Sequence, residues 1–123
     1  MMKLLLIDDD AFLRDMYAIK FGEHGYQVIA ADSAAAGFQI IKENKDLDII
    51  LLDMIMPGMS GVELLQKIQQ EFPKLKAKRI VLSNQGQEQD IKEATEAGAD
   101  GYIIKAETIP SEVVKKVESY SKK

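Results

Sequence analysis

The stretch Leu4-Leu-Leu-Ile-Asp-Asp-Asp10 sets four consecutive apolar residues directly before three aspartates. A short, uninterrupted apolar run is typical of a β-strand that is covered on both faces, as in a parallel sheet. The run is too short to span a bilayer, and an apolar segment that leads straight into carboxylates is not the core of a signal peptide. We therefore interpret it as a buried strand that ends in acidic side chains.

Further short apolar runs follow along the chain, and segments with helical spacing of apolar residues separate them. The runs are Val28–Ala31, Ile49–Leu52, Ile80–Leu82 and Tyr102–Ile104. Residue types that favour the first positions of a helix occur at Asp10, at Ser33, at the Ser60–Glu63 capping box and at Pro110. Because strands that alternate with helices form parallel sheets with right-handed crossovers, the sequence predicts an α/β, doubly wound (βα)5 fold with helices on both faces.

Length and composition restrict the classes of function. At 123 residues the chain is expected to be one domain over residues 1–123, and only Ser121-Lys-Lys follows the fifth predicted helix, so we expect no output domain. The absence of cysteine excludes a disulfide scaffold and cysteine catalysis, and a single histidine, His24, leaves no material for a multi-histidine zinc site. A formal net charge of −4 argues against direct binding to nucleic acid or to a membrane surface. We expect a cytoplasmic protein.

Polar side chains follow four of the predicted strands. Asp8 and Asp9 follow the first, Asp53 the third, Ser83 the fourth and Lys105 the fifth. The carboxyl ends of parallel strands share one edge, where ligands bind in open α/β sheets. Two unit charges 4 Å apart repel by about 4 kcal/mol at an effective dielectric constant near 20, so three carboxylates at one edge predict a bound cation. Mg²⁺ prefers oxygen ligands, and an aspartate beside a metal and a lysine can act as a nucleophile toward phosphorus.

Four stretches of the chain resemble the receiver domains of bacterial two-component response regulators, the CheY-like domains. They are Leu5-Leu-Ile-Asp-Asp-Asp10, Leu51-Leu-Asp-Met-Ile-Met-Pro-Gly-Met-Ser-Gly61, Ile80-Val-Leu-Ser83 and Ala97-Gly-Ala-Asp-Gly-Tyr-Ile-Ile-Lys105. They occur in order and at the ends of the predicted strands, and the resemblance covers essentially the whole chain. It implies the flavodoxin-like strand order 2-1-3-4-5.

The resemblance also implies roles for the acidic residues. Asp53 matches the aspartate that accepts a phosphoryl group, and Asp8 and Asp9 match the acidic pair that holds Mg²⁺, with Asp9 as the more direct ligand. Asp53 itself and the backbone carbonyl of Ile55 match the remaining protein ligands of the metal. By this resemblance the protein catalyses only its own phosphorylation and dephosphorylation and is not an enzyme for an external substrate.

Further residues are implied to bind the phosphoryl group and to respond to it. Lys105, the Ser83 hydroxyl and the backbone amide of Asn84 match the phosphoryl-binding groups, while Ser83 and Tyr102 match the switch pair. In the family this local event changes the surface of helix 4, strand 5 and helix 5. The fourth predicted helix suits such a role, because Glu88–Ala97 has few apolar residues and switching elements come from the less stable part of a fold.

The implied partners are a sensor histidine kinase or phosphotransfer protein as phosphodonor and a downstream effector protein. The surface of helix 4, strand 5 and helix 5 would serve a phosphorylation-dependent homodimer or a different partner equally well. A second hypothesis is a receiver-like adapter that works without phosphorylation. Two departures from the family pattern support it: Ala106 replaces the proline that usually follows the lysine, and Asn84 stands where a small residue is usual.

A third hypothesis, an enzyme for an external substrate, fits the residues less well. Ile55 occupies the place where a phosphatase with an aspartyl nucleophile has its second aspartate, and three aspartates after the first strand would repel the phosphate of a flavin. Ile55 and Gln85 occupy the two positions that tune dephosphorylation in the family. Apolar Ile55 cannot orient a hydrolytic water, whereas polar Gln85 is able to, and we expect a phosphoryl lifetime toward the longer side. The basic run from Lys74 to Arg79 is typical of a solvated loop.

Overall fold

The computed structural model of the chain describes residues 1–122 and contains one five-stranded parallel sheet. The strands are β1 (Lys3–Ile7), β2 (Gln27–Ala31), β3 (Ile49–Leu52), β4 (Lys78–Ser83) and β5 (Gly101–Ile104). Their order across the sheet is β2-β1-β3-β4-β5, with all neighbours parallel. The predicted doubly wound fold and its strand order are confirmed.

Five α-helices connect and flank the strands. They are α1 (Ala11–Glu23), α2 (Ala34–Glu43), α3 (Gly61–Glu71), α4 (Glu88–Glu96) and α5 (Pro110–Ser121), and a short 3-10 helix covers Lys105–Glu107. The predicted caps Asp10, Ser33 and Ser60 each accept a hydrogen bond from a backbone N–H in the first turn of the helix that follows. Within residues 1–122 no helix has the length and apolar character needed to cross a bilayer.

The alternation of side chains along the strands explains why the apolar runs are continuous. One set of strand residues, which includes Leu5, Ile50 and Val81, packs in a cluster with α2, α3 and α4. The residues between them, such as Leu6, Leu51 and Leu82, pack in a second cluster with α1 and α5. Both faces of the sheet are therefore covered by helices, and successive residues of a central strand are all buried.

Helices cover both faces of the sheet, as predicted, but the central strands are buried more completely than the edge strand β2. Every residue of β3 is fully buried, as are the last four of β1. By contrast, β2 lies at one edge of the sheet, where Val28 and Ile29 are half-buried and Ala30 is exposed. An edge strand has a neighbour on one side only, and its apolar run cannot be distinguished from that of a central strand by sequence pattern.

Candidate functional site

Three carboxylates meet at the carboxyl edge of the sheet. Asp8 and Asp9 follow β1, and Asp53 follows the neighbouring β3. Each side chain offers one oxygen, and these oxygens all lie within 4.8 Å of one another. The strand-end argument made from the sequence is therefore confirmed for this group.

Asp8 is buried and is bound on both of its carboxylate oxygens. Its Oδ1 accepts a hydrogen bond from the backbone N–H of Asp10 at 3.0 Å. Its Oδ2 lies 2.7 Å from Nζ of Lys105, in an ion pair whose side chains are 2% and 7% exposed. A buried carboxylate is costly unless it is paired and hydrogen-bonded, and both conditions are met here.

The carboxylate of Asp53 is held from two directions. Its Oδ1 accepts hydrogen bonds from the backbone N–H groups of Met54 at 2.7 Å and Ile55 at 3.4 Å. Its Oδ2 lies 3.0 Å from Nζ of Lys105. One ammonium group thus joins the carboxylates that follow β1 and β3, and the orientation of Asp53 is fixed.

The charge of Lys105 is stabilised by this position. Burial alone would lower the pKa of Lys105, but the hydrogen bonds that its ammonium donates to Asp8 and Asp53 outweigh burial, and the pKa is raised above its ordinary value. Lys105 begins the 3-10 helix after β5, and within residues 1–122 there is no cis peptide bond, so the bond to Ala106 is trans. Ala106 in place of the usual proline is therefore compatible with a lysine that reaches both carboxylates.

Asp9 differs from the other two aspartates because it is exposed. Within residues 1–122 its side chain makes no hydrogen bond or ion pair, whereas Asp8 and Asp53 share Lys105. Ile55, whose backbone carbonyl is implied as a ligand by the resemblance, has a side chain that is 61% exposed beside the site. Oxygen donors of this kind are the set that Mg²⁺ prefers, so the residues present fit that ion.

The two residues that the resemblance implies as a switch pair lie at the end of β4 and in β5. Ser83 is the last residue of β4 and is 1% exposed, and its Oγ accepts a hydrogen bond from the backbone N–H of Gln85 at 3.2 Å. The Tyr102 hydroxyl donates a hydrogen bond to the backbone carbonyl of the same Gln85. Asn84, which lies between Ser83 and Gln85 in sequence, is exposed. Ser83 and Tyr102 are thus both tied to the loop that leads into α4.

The half-buried Tyr102 ring packs against the core cluster beneath α4. Burial raises the pKa of the Tyr102 hydroxyl, the hydroxyl of Ser83 opposes that rise, and the carboxylates of Asp90 and Asp53 add to it. The charge of Asp53 is thus one of the causes of the raised pKa of Tyr102.

Two residues that support the site were not predicted from the sequence. Arg14, in α1, donates a hydrogen bond from Nη1 to the backbone carbonyl of Asp8 at 2.9 Å. Gly61, the first residue of α3, donates from its backbone N–H to the carbonyl of Met54 at 2.8 Å. A Cβ atom on Gly61 would lie 2.3 Å from the backbone oxygen of Asp53. A glycine directly after a cap residue is a signal for such close approach, since glycine is unfavourable inside a helix.

The chain is similar to known proteins over almost its whole length. The family model of the response regulator receiver domain matches residues 4–118. The sequence is 36% identical to the chemotaxis protein CheY of Thermotoga maritima, over 98% of this chain and 98% of that protein. It is 32% identical to the phosphate regulon transcriptional regulatory protein PhoB of Pseudomonas aeruginosa over 94% of this chain. That match covers 50% of PhoB, so the chain spans about half the length of this relative.

Solved structures show the same similarity. A CheY-like receiver domain protein from Methanospirillum hungatei JF-1 has a TM-score of 0.87 at 28% identity, with 99% of this chain and 94% of that chain covered. The CheX-CheY-BeF3-Mg²⁺ complex from Borrelia burgdorferi gives a TM-score of 0.87 at 28% identity, with 96% of this chain and 87% of that chain covered.

Proposed function

Since the chain belongs to the response regulator receiver domain family, we propose that it accepts a phosphoryl group on Asp53 from a sensor histidine kinase or phosphotransfer protein. The observation that carries this proposal is the position of Lys105. Its ammonium lies 2.7 Å from Asp8 and 3.0 Å from Asp53, next to a third carboxylate on Asp9. A nucleophilic carboxylate, a fixed cation and a set of oxygen ligands are the groups that phosphoryl transfer to an aspartate needs.

The transfer exchanges one bond to phosphorus for another. A carboxylate oxygen of Asp53 attacks the phosphorus of a phosphohistidine, so that a P–O bond forms while the P–N bond breaks. The imidazole leaves with the electron pair of that bond and takes a proton from solvent. The hydrogen bonds from Met54 and Ile55 orient the attacking carboxylate, and the Lys105 ammonium stabilises negative charge on the phosphoryl oxygens.

We assign the metal site to Asp8, Asp9, Asp53 and the backbone carbonyl of Ile55. Mg²⁺, when bound, supplies positive charge that neutralises the phosphoryl oxygens. Asp9 is exposed and unpaired within residues 1–122, which makes it the carboxylate most readily offered to the ion. The CheY of the Borrelia burgdorferi complex, a structure similar to this chain, was solved with BeF3 and Mg²⁺.

Phosphorylation of Asp53 would change the conformation of the loop that follows β4. The Ser83 hydroxyl and the Asn84 backbone amide would bind the phosphoryl oxygens, and Tyr102 would follow because it donates to the carbonyl of Gln85 in the same loop. This would alter the surface of α4, β5 and α5, where a downstream effector protein or a second copy of the chain would bind. We expect slow dephosphorylation, since the exposed side chain two residues after Asp53 is that of Ile55, which is apolar and cannot orient a hydrolytic water.

Intact-mass spectrometry with acetyl phosphate and Mg²⁺ tests the proposal. We expect a gain of one phosphoryl group, its loss in Asp53→Asn and in the presence of EDTA, and its retention in the control Asp15→Asn, an exposed aspartate of α1. If the wild-type protein gains no mass, beryllofluoride binding distinguishes a slow donor reaction from a defective site. Failure of both measurements would reject phosphorylation and favour the adapter hypothesis.

A further inference from the structure

A second concave surface lies at the opposite end of α3 from Asp53. It is a groove of about 460 Å³ between the end of α2 and the segment that joins α3 to β4. Phe72, Pro73 and Leu75 provide apolar surface, and Lys45, Lys74 and Lys76 surround it. We call this surface the Phe72 groove. Since α3 has eleven residues, the groove is about 16 Å from the start of the helix at Gly61.

The groove and its surroundings concentrate positive charge in an acidic protein. Three of the lysines, Lys45, Lys74 and Lys76, are exposed at the groove, and Glu71 is the one carboxylate among its lining residues within 1–122. Lys42 and Lys67 lie beside it on α2 and α3. None of these five lysines forms an ion pair within the described part of the chain, whereas Lys3, Lys20 and Lys105 do. The formal net charge of the whole chain is −4, so this positive surface is a local exception.

Aromatic rings rather than carboxylates hold the side chains of Lys45 and Lys67 in place. The rings of Phe38 and Phe72 contact each other with centroids 5.4 Å apart. Nζ of Lys67 lies 4.4 Å from the centroid of Phe38, and Nζ of Lys45 lies 4.5 Å from that of Phe72. Cation–π contacts position these ammonium groups without neutralising them, so their charge is still available to an anionic partner.

The arrangement favours a protein segment over a nucleic acid. Binding of single strands commonly uses aromatic faces on which bases stack. Here Phe38 and Phe72 contact each other, and the ammonium groups of Lys67 and Lys45 lie over their ring faces, where a base would have to stack. An apolar groove with a basic rim instead complements an apolar side chain flanked by carboxylates.

We propose that the Phe72 groove binds an acidic protein segment that inserts an apolar side chain between Lys45, Lys74 and Lys76. The site is separate from Asp53, so binding does not depend on phosphorylation. Such a surface would select a partner by its charge pattern while the carboxyl edge of the sheet performs its own chemistry.

Fluorescence anisotropy with a labelled peptide of glutamates around one phenylalanine tests this proposal. The full chain is compared with the double variant Lys74→Glu, Lys76→Glu and with the control Lys20→Glu, Lys122→Glu, which changes the net charge equally at positions in α1 and directly after α5. We expect the groove variant to bind about tenfold more weakly and the control to change by less than about twofold, because only the former reverses charges at the groove. In NMR spectra of the wild-type protein, addition of the peptide should change the amide chemical shifts of Lys45 and residues 72–76 only. The variant Asp53→Asn should show the same changes, because it cannot be phosphorylated at that position.

The remaining outcomes overturn the proposal. No saturable binding, equal weakening in both double variants, or shifts centred elsewhere would mean that the groove is only a solvated basic surface. Tighter binding of single-stranded DNA than of the peptide, lost in the groove variant, would assign the surface to nucleic acid. A peptide in which glutamines replace the glutamates should not bind, and equal binding by that peptide would also reject the role of the lysines.

Discussion

The loops that follow β3 and β4 lie side by side at the carboxyl edge of the sheet, but the structure holds them very differently. After β3, backbone hydrogen bonds from Met54 and Ile55 hold Asp53, and the first residue of α3 packs on the backbone of Asp53. After β4, residues 84–89 are all exposed. The helices differ in the same way, since α3 buries four residues, namely Gly61, Leu64, Leu65 and Ile68, and α4 buries Ala94 alone.

This difference separates a fixed part of the site from a part that can move. A segment with few buried apolar contacts opens at a lower free energy than the core of the same domain. Asp8, Asp53 and Lys105 belong to the fixed part, because one ammonium group joins both carboxylates. Ser83 and Tyr102 connect to the exposed loop instead, through Gln85. A charge change at Asp53 would therefore displace α4 before it displaced α3.

Truncation of one apolar side chain in each helix is the most direct test of this difference. Leu64→Ala removes a fully buried side chain of α3 and should lower the free energy of unfolding by about 2–5 kcal/mol. Ile91 of α4 is only half-buried, so Ile91→Ala should cost about 1 kcal/mol or less. Urea unfolding measures both losses, and equal losses would contradict the distinction between the two helices.

A methyl group on Gly61 tests how tightly α3 holds the loop of Asp53. In Gly61→Ala the new Cβ would lie 2.3 Å from the Asp53 oxygen and 2.8 Å from Cα of Met54, both backbone atoms, so the loop must shift. We expect a loss of stability of about 1–3 kcal/mol, as for other overpacked sites, together with slower phosphorylation of Asp53.

Gly22→Ala is the matched control, because Gly22 lies in α1 and a Cβ at this position would meet no atom within 4 Å beyond the backbone of its own helix. Alanine is the better helix former by about 0.5–1 kcal/mol, so the control should be neutral or slightly stabilised. If Gly61→Ala behaved like the control in both measurements, the contact between α3 and Asp53 would have no role in positioning the carboxylate.

The parts of the site that could be predicted from sequence are those that depend on strand ends. Asp8, Asp9, Asp53 and Lys105 come together because parallel strands place their carboxyl ends at one edge, where Ser83 ends the neighbouring strand β4. The thin apolar face predicted for the fourth helix is likewise confirmed by the single buried residue of α4. These features follow from local patterns that the topology then brings together.

The features that sequence reasoning missed depend on distances between residues far apart in the chain. The hydrogen bond from Arg14 to the Asp8 carbonyl requires the actual crossing of α1 over β1. The basic run was interpreted as a solvated loop, but Lys78 and Arg79 lie in β4, while Lys74 and Lys76 surround the Phe72 groove. No periodicity in this run distinguishes these positions, because the groove is completed by Lys45 from the segment between α2 and β3.

Alkaline titration should give the smallest change in the free energy of unfolding among these tests. It probes the contact of Lys105 with Asp8 and Asp53, which joins the fixed part of the site. The pKa of Lys105 is raised in the folded protein, so its stabilising contribution is complete below the ordinary value of 10.5. Above that pH the unfolded chain loses its proton first, and the contribution declines until the pH passes the raised pKa of the folded state. We expect the free energy of unfolding of the wild-type protein to fall in this range.

The variant Lys105→Arg distinguishes this loss from other alkaline titrations. Arginine stays protonated well above pH 11. In the alkaline range where the wild-type protein loses stability, the variant should therefore keep the free energy of unfolding that it has near neutral pH. Burial also raises the pKa values of Tyr17, Tyr26 and Tyr102, but those groups are present in both proteins. A parallel decline of both proteins would assign the loss to the tyrosines and would show that the ammonium between Asp8 and Asp53 contributes little to holding β1 and β3 together at this edge.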